Sequence, residues 1–418
     1  MHKVDYALLQ ASRLHPECVE LLLMGAVYYS LCKEYTRLKA LLELDAFANS
    51  YDKIQDYLLF FEGNFHFDNG NYVEAMKFYE NIKDITVIPP AIYRSAECHS
   101  LLGNSSFALD YYKQYCRYGN IDGQEYDLVF FEMNKCWAKL RNFDDAVMFY
   151  ENFVYDVDPF NAYAWFALSI NYVALNNMRE AERALLLSIA ILPNNSTAFF
   201  NLANIYSSEG KYLRAINFYD HVIHYDGEDS EVFLLKGECY FHLNQFDRAL
   251  KCFESCLKID DKYSAGYYWT AQCYISMGNY KKALTSIKRA IKLEPENADF
   301  YNLRAMIYSA TDNEHLAYDD YLNSVKLDPD NVDNVVDMAD FMLQTGQFDV
   351  PVLYLLNVGK VLSNDARVPF YIGLCMFFQG DFFNAYQRFN EAVIISELHP
   401  NNNMVMKHDN RIEPKFMN

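Results

Sequence analysis

Two clusters in this sequence have residue types and spacings that could hold a metal ion. His221 and His224 stand three apart between Asp220 and Asp226, and Cys252 and Cys256 lie four apart, so each pair would share one face of a helix. A tetrahedral site needs a second pair of ligands at matching spacing. None accompanies the cysteines, and the histidine cluster reads as scattered polar residues of a helix surface. The chain has no glycine-rich phosphate loop, no Gly-x-Ser-x-Gly and no His-Glu-x-x-His. Its carboxylates follow helix exteriors, as solvated faces do. No residue is set up as a nucleophile, so the sequence predicts a protein that is not an enzyme and holds neither metal nor cofactor.

The elements that carry these residues are set by a 34-residue period. Residues 264–297 read SAGYYWTAQCYISMGNYKKALTSIKRAIKLEPEN, and the next 34 read ADFYNLRAMIYSATDNEHLAYDDYLNSVKLDPDN. The same step fits blocks starting at Ala162, Ser196, Ser230, Val332 and Ala366, so that seven units tile residues 162–399. Position 8 of the unit is small (Ser169, Ala203, Gly237, Ala271, Ala305, Ala339, Gly373), and position 20 is Ala except at Pro351. Position 4 carries Trp165, Phe199, Phe233, Tyr267 and Tyr301, and position 32 carries Pro193, Pro295 and Pro329. Each unit reads as two amphipathic helices, A and B, joined near position 15, where Gly210, Gly278, Gly346 and Gly380 allow a tight turn. Small residues at 8 and 20 let the helices approach closely, and large ones at 4, 11 and 24 fill the space between them. One pair cannot bury its faces alone, so neighbours must stack.

This pattern resembles the tetratricopeptide repeat. The resemblance implies an all-α fold, a right-handed α-solenoid superhelix of stacked antiparallel helix pairs. Upstream, residues 56–161 form three units with small insertions, keeping Gly63, Ala75, Tyr79, Ala96, Tyr112, Ala146 and Tyr150. Residues 18–55 form a degenerate unit, 1–17 a half repeat and 400–418 a tail. In 332–365, Pro351 fits the first turn of helix B if that helix starts near Phe348; the alternative is a softer joint. The long uninterrupted run also resembles bacterial arrays of unassigned role.

Five cysteines (Cys98, Cys136, Cys239, Cys273 and Cys375) fall at position 10, where a small core residue belongs. Equivalent positions in adjacent repeats lie about 10 Å apart, judged by helix spacing, which is too far for a disulfide. The run Pro159 to Met178 lacks charges but holds Asn161, Ser169, Asn171, Asn176 and Asn177 in repeat register, and so reads as a soluble helix. The N-terminal MHKVDYALLQASRLHPE has charges where a signal peptide needs an apolar stretch, so the expected compartment is cytoplasmic.

The family resemblance further implies that helix A lines the concave surface with positions 2, 5, 9, 12 and 13. Carried onto this chain, position 5 gives Phe131, Phe166, Phe200, Leu234 and Tyr268, and position 9 gives Ile170, Asn204, Glu238 and Gln272. These residues form the expected partner-binding groove, an aromatic line with amide and acidic neighbours. In a tightly wound superhelix some of the position 5 rings pack on the adjoining helix A instead. Relatives that clamp chaperone carboxylates use basic residues across several repeats, whereas here only Lys135 and Lys139 of one repeat stand at such sites. With a net charge of −20 the expected partner is a protein or peptide with apolar, amide-rich or basic segments, not nucleic acid or membrane. The expected function is a non-catalytic protein–protein interaction scaffold. Its alternative is a structural subunit, self-associating or docked in a larger assembly through ends without polar caps.

Overall fold

The computed structural model describes residues 18–34, 36–37, 51–85, 88–119, 121, 125–361 and 364–398. The half repeat expected at 1–17 and the tail expected at 400–418 lie outside the described residues. Among the described residues are 21 α-helices and no strand. The chain divides into two compact units, residues 1–202 and 203–418, and every contact below lies within one of them.

Unit 1 contains α1 (Val19–Leu31), then the pairs α2 (Tyr51–Asp68) with α3 (Tyr72–Glu80) and α4 (Pro89–Leu101) with α5 (Ser105–Tyr118). They are followed by α6 (Glu125–Leu140) with α7 (Phe143–Asn152), and α8 (Ala162–Ala174) with α9 (Met178–Ile191). The division between the units falls within α10 (Ser196–Ser208). Unit 2 continues with α11 (Tyr212–Asp226), then α12 (Ser230–His242) with α13 (Phe246–Ile259), and α14 (Ser264–Ser276) with α15 (Tyr280–Leu293). It ends with α16 (Ala298–Ala310) and α17 (Glu314–Leu327), α18 (Val332–Gln344) and α19 (Asp349–Val361), and α20 (Arg367–Phe378) and α21 (Phe382–Leu398). Apart from α10, through which the division runs, each helix packs on its partner and on the next helix in sequence, giving an α-solenoid arrangement within each unit.

Local chemistry sets where the helices begin and end. Asn161, Asp229, Asn297 and Asn331 cap the A helices α8, α12, α16 and α18, their side-chain oxygens accepting from backbone N–H groups of the first turn. Asn142, Asn177 and Asn279 do the same for the B helices α7, α9 and α15. Between A and B, position 15 takes a left-handed backbone throughout, with φ between 51° and 88° in the repeats from Arg141 to Gly380. Where that residue is not glycine it is Asn176, Asn244, Asp312 or Arg141, and the Asn and Asp side chains tolerate the conformation better than most. The turn is therefore a fixed feature that glycine eases but does not define.

The close approach of A to B follows from positions 8, 20 and 24. Ala75, Ala108, Ala146, Ala181, Ala215, Ala249, Ala283 and Ala317 at position 20 are fully buried. So are Tyr79, Tyr112, Tyr150, Leu185, Tyr219, Phe253 and Ile287 at position 24, while Phe389 of α21 is half-buried. A Cβ placed on Gly237 would lie 2.4 Å from the Phe253 ring, and one on Gly63 2.3 Å from the ring of Tyr79. The ring at 24 thus occupies the space that a side chain at 8 would need. The A helices also pack on one another along the row in unit 2, so they form its inner layer and the B helices its outer one.

Two departures from the repeat are absorbed locally. The 35-residue unit 127–161 carries a π-helical turn, Phe153–Val157, directly after α7, with Phe153 and Val154 buried beneath it. Pro351 sits in the first turn of α19, where its missing N–H leaves no bond unmade. One polar pair is built into the inter-helix packing: Arg304 of α16 grips Asp320 of α17 through two hydrogen bonds of 2.7 Å, with Asp320 almost wholly buried.

Gly237→Ala is expected to destabilise unit 2 by about 1–3 kcal/mol, because the added methyl meets the Phe253 ring. Adding Phe253→Leu should return most of this loss, since it rebuilds the pair that Ala339 and Leu355 make in another repeat. Urea unfolding midpoints of the two variants check the expectation; purely additive losses would show that the two positions do not meet.

Candidate partner-binding surface

The A-helix side of unit 1 offers an apolar strip. On α6, Leu128 and Phe131 are three residues apart on one face, and Phe131 is 61% exposed. The Lys135 ammonium lies 5.3 Å from the Phe131 ring centre and bonds the Glu132 carboxylate at 2.9 Å. On α8, which packs beside α6, Ile170 and Val173 are likewise exposed, while Phe166 is half-buried. Asn171 of α8 donates to the side-chain oxygen of Asn134 on α6 at 2.9 Å, fixing how the two A helices lie together. Phe200, on α10, is half-buried. Leu128 and Val173 escaped the sequence-based choice although they occupy positions 2 and 12, which the same register assigns to this side.

In unit 2 the expected residues separate. Leu234 is a correction: it is 6% exposed and packs with Ala249, Phe253, Cys256 and Cys273, so it belongs to the core and offers nothing to a partner. A leucine at position 5 lacks the reach of a ring and stays in the gap between helices. Asn204 is half-buried, and its side-chain oxygen accepts a hydrogen bond from the Tyr219 hydroxyl, so part of its polar capacity is spent inward. Tyr79 makes the same bond to Asn64 at 2.8 Å in unit 1, one repeat position serving one structural purpose twice.

Glu238, Tyr268 and Gln272 remain on the A-helix side, each half-buried. The Gln272 amide donates to the Tyr268 hydroxyl at 3.1 Å. The Tyr268 ring packs against Trp269, at 5.7 Å, and against Phe300 of the next A helix, at 5.5 Å, which is the ring-on-neighbour packing the sequence allowed for. Burial pushes the Glu238 carboxyl up to about 7, although a hydrogen bond from Trp269 works in the other direction. The Tyr268 hydroxyl is raised by burial too, and the negative charges of Asp299, Asp337 and Glu238 add to that rise.

Three repeats besides that of Tyr268 therefore place carboxylates around one phenol. Neutral donors hold them: Asn331 and Asn334 on Asp299 at 3.3 and 3.0 Å, and Asn302 on Asp337 at 2.8 Å. Farther along α18, Asp340 accepts from Gln344 at 2.8 Å. The three cations on these A helices are engaged elsewhere: Lys236 with Asp220, Arg304 with Asp320, and Arg367 with Asp333 and Asp365. The sequence-based choice missed Asp299, Asn302 and Asp340, although they stand at positions 2, 5 and 9. The aromatic residues expected at position 5 are replaced in these two repeats by Asn302 and Val336.

The other reactive-looking groups are structural. Cys98, Cys136, Cys239, Cys273 and Cys375 at position 10 are fully buried, and burial pushes Cys98 and Cys273 up to about 12 and Cys375 to about 11. Cys252 and Cys256 are buried as well, raised to about 11 and 12, conditions that disfavour the thiolate. His221 stacks near Phe218 and Tyr225, and the neighbouring Asp220 is bound to Lys236. Among the described residues no cluster of three metal-binding side chains occurs, and no helix is long and apolar enough to cross a membrane.

Family models described as tetratricopeptide repeat match residues 245–307 and 298–331, and a model described as anaphase-promoting complex, cyclosome, subunit 3 matches residues 171–256. A tetratricopeptide repeat protein of Parabacteroides merdae aligns at 16% identity over 58% of this chain and 98% of its own, with a TM-score of 0.46. PilF of Pseudomonas aeruginosa aligns at 14% over 53% and 97%, with a TM-score of 0.42. MamA of Desulfovibrio magneticus aligns at 18% over 40% and 94%, with a TM-score of 0.38. No curated protein matches the sequence.

Glu238 gives a pH signature that needs no partner. Folded, its carboxyl stays protonated up to about 7, whereas in the unfolded chain it ionises near 4.3. The stability it contributes is complete below about 4.3 and is lost as pH rises through 7. Glu238→Gln, which cannot ionise, should therefore melt close to the parent at pH 4.5 and above it at pH 8, by roughly 2–4 °C. Equal offsets at both pH values would show that Glu238 is solvated.

Proposed function

Since this chain belongs to the tetratricopeptide-repeat proteins, a family of protein-interaction scaffolds, we propose that the A-helix side of unit 2 holds an extended or helical partner segment bearing lysine or arginine. The observation that carries this reading is the electrostatics around Tyr268. Glu238, Asp299 and Asp337 bear on its hydroxyl from three other repeats, while every Lys and Arg of α12, α14, α16, α18 and α20 is already ion-paired. A cationic side chain entering there supplies the charge that burial denies Glu238, and the rings of Tyr268 and Trp269 add a favourable face for an ammonium or guanidinium. Carboxylates spaced by repeat recognise a segment by the intervals between its basic residues, and their field speeds its approach. In unit 1, the strip of Leu128, Phe131, Ile170 and Val173 suits apolar side chains of a partner segment, with Phe166 and Phe200 as partly covered neighbours. This is binding without chemistry, and it requires neither metal nor cofactor.

A fluorescent peptide alternating Lys and Leu, compared with its Glu and Leu counterpart, tests the proposal. Only the basic peptide is expected to bind, more weakly in high salt and more tightly at pH 8 than at pH 6, because Glu238 ionises between them. The double variant Glu238→Gln, Asp299→Asn should lose about tenfold in affinity with helicity unchanged, a difference of about 1.4 kcal/mol. Tyr268→Ser should weaken binding further. Equal affinity for both peptides, or full affinity in the double variant, contradicts the reading.

A further inference from the structure

The last described hairpin of unit 2, α20 and α21, departs from its own repeat family. Position 29 of the repeat is Lys258, Lys292, Lys326 and Lys360 in the four preceding units but Ile394 here. Position 33 is Lys262, Glu296 and Asp330 in internal units but Leu398 here, and position 18 is Asp247, Lys281 and Asp349 but Phe383 here. The change is toward apolar residues at places those repeats give to charged side chains, although at position 18 Leu213 and Val73 are apolar and exposed as well. Phe383 is 73% exposed and Leu398 69%.

Positions 21 and 28 tell a second part of the same story. In internal repeats they pack on the following A helix, as Leu257 does against Gly266 and Leu250 does within the cluster that includes Cys273. Their counterparts on α21 are Tyr386 and Val393, and both are exposed. At the start of α21, the ring of Phe382 meets that of Phe377 edge to face at 5.3 Å, and Phe378 stacks on Phe348 at 5.5 Å, which extends the apolar surface onto α20. The exposed apolar side chains of this hairpin together present roughly 900 Å², taking about 200 Å² for a large ring or branched chain. A stable dimer buries about 800 Å² on each partner.

We infer that this face binds a second copy of the same chain, in an isologous dimer whose two-fold axis passes beside Asn390. An isologous contact requires that when residue i meets j, j also meets i. The exposed residues of α21 meet this condition about Asn390. Two antiparallel copies of the helix set Tyr386 opposite Ile394 and Phe382 opposite Leu398, four and eight residues to either side. Val393 falls opposite Gln387. Glu397 falls opposite Phe383 instead of its own copy, so the pairing brings no like charges together. Asn390 meets itself, and two side-chain amides can exchange hydrogen bonds across an axis. A partner chosen by charge has little to read here, because the face is almost wholly apolar.

Sedimentation equilibrium of the full chain tests the inference. A dimer with a micromolar or tighter dissociation constant is expected. Tyr386→Glu with Ile394→Glu should weaken it at least about hundredfold, with the circular dichroism and melting temperature of the monomer unchanged, because both side chains already face water there. Asn390→Cys should form a disulfide-linked dimer under mild oxidation that the parent chain does not form. A chain that stays monomeric at high concentration overturns the inference. If shortening the chain after Leu398 then yields a dimer, residues 399–418 are the occupant in place of a second copy; if it stays monomeric, the occupant is a different protein. A dimer untouched by the double Glu substitution also overturns it.

Discussion

The contact between a large side chain at position 24 and a small one at position 8 is the constraint on which the rest of this structure depends. It sets the spacing between A and B so tightly that in three repeats even a methyl group on Gly63, Gly237 or Gly373 would collide with a ring. With that spacing fixed, alanine at position 20 is the largest residue most repeats accept, and the burial of position 24 follows. Interiors packed at this density do not tolerate extra atoms without moving their neighbours. Because the close contact turns A and B toward each other along one edge, each helix keeps an opposite edge for a different use. In unit 2 the A helices also meet one another, and this makes their free edge a surface to which several repeats contribute.

Of the carboxylates on that edge, Glu238 is the one whose burial is costly. Glu238 is desolvated enough to stay half protonated at neutral pH, and Asp299 and Asp337 lean on the amides of Asn334 and Asn302. Asp299 is exposed and Asp337 half-buried, so the amides that hold them add little stability, whereas Asp320 is buried and paired with Arg304. The same chain thus contains both arrangements within a few helices. The paired one lies between A and B, where it ties two helices together. The amide-held one lies on the A-helix edge.

Much of this was legible in the sequence because it rests on period and size. A 34-residue repeat with small residues at 8 and 20 leaves little freedom, so the helices, the turn at position 15 and the buried cysteines at position 10 follow from spacing alone. Pro351 in a first turn was readable for the same reason. The surface was harder to read. A residue at position 5 faces outward only if its side chain is long enough to leave the gap between helices: Phe131 does, while Leu234 falls back into the core. The role of Asn204 depends on whether a tyrosine stands at position 24, which is a contact between helices that one register position does not report. The carboxylates near Tyr268 come from positions 2, 6 and 9 of different repeats, and their grouping exists only after stacking. The π-helical turn after α7 is a further case, since one extra residue in 127–161 can be accommodated in several ways that the sequence leaves equal.

Hydrogen exchange across unit 2, measured with and without the alternating Lys and Leu peptide, bears most directly on the central claim that helix packing reserves the A-helix edge for a cationic guest. Slower exchange is expected in α12, α14, α16 and α18 on adding the peptide, with the outer helices α13, α15 and α17 unchanged. Slowing concentrated in those outer helices, or no slowing anywhere in the unit, would contradict it.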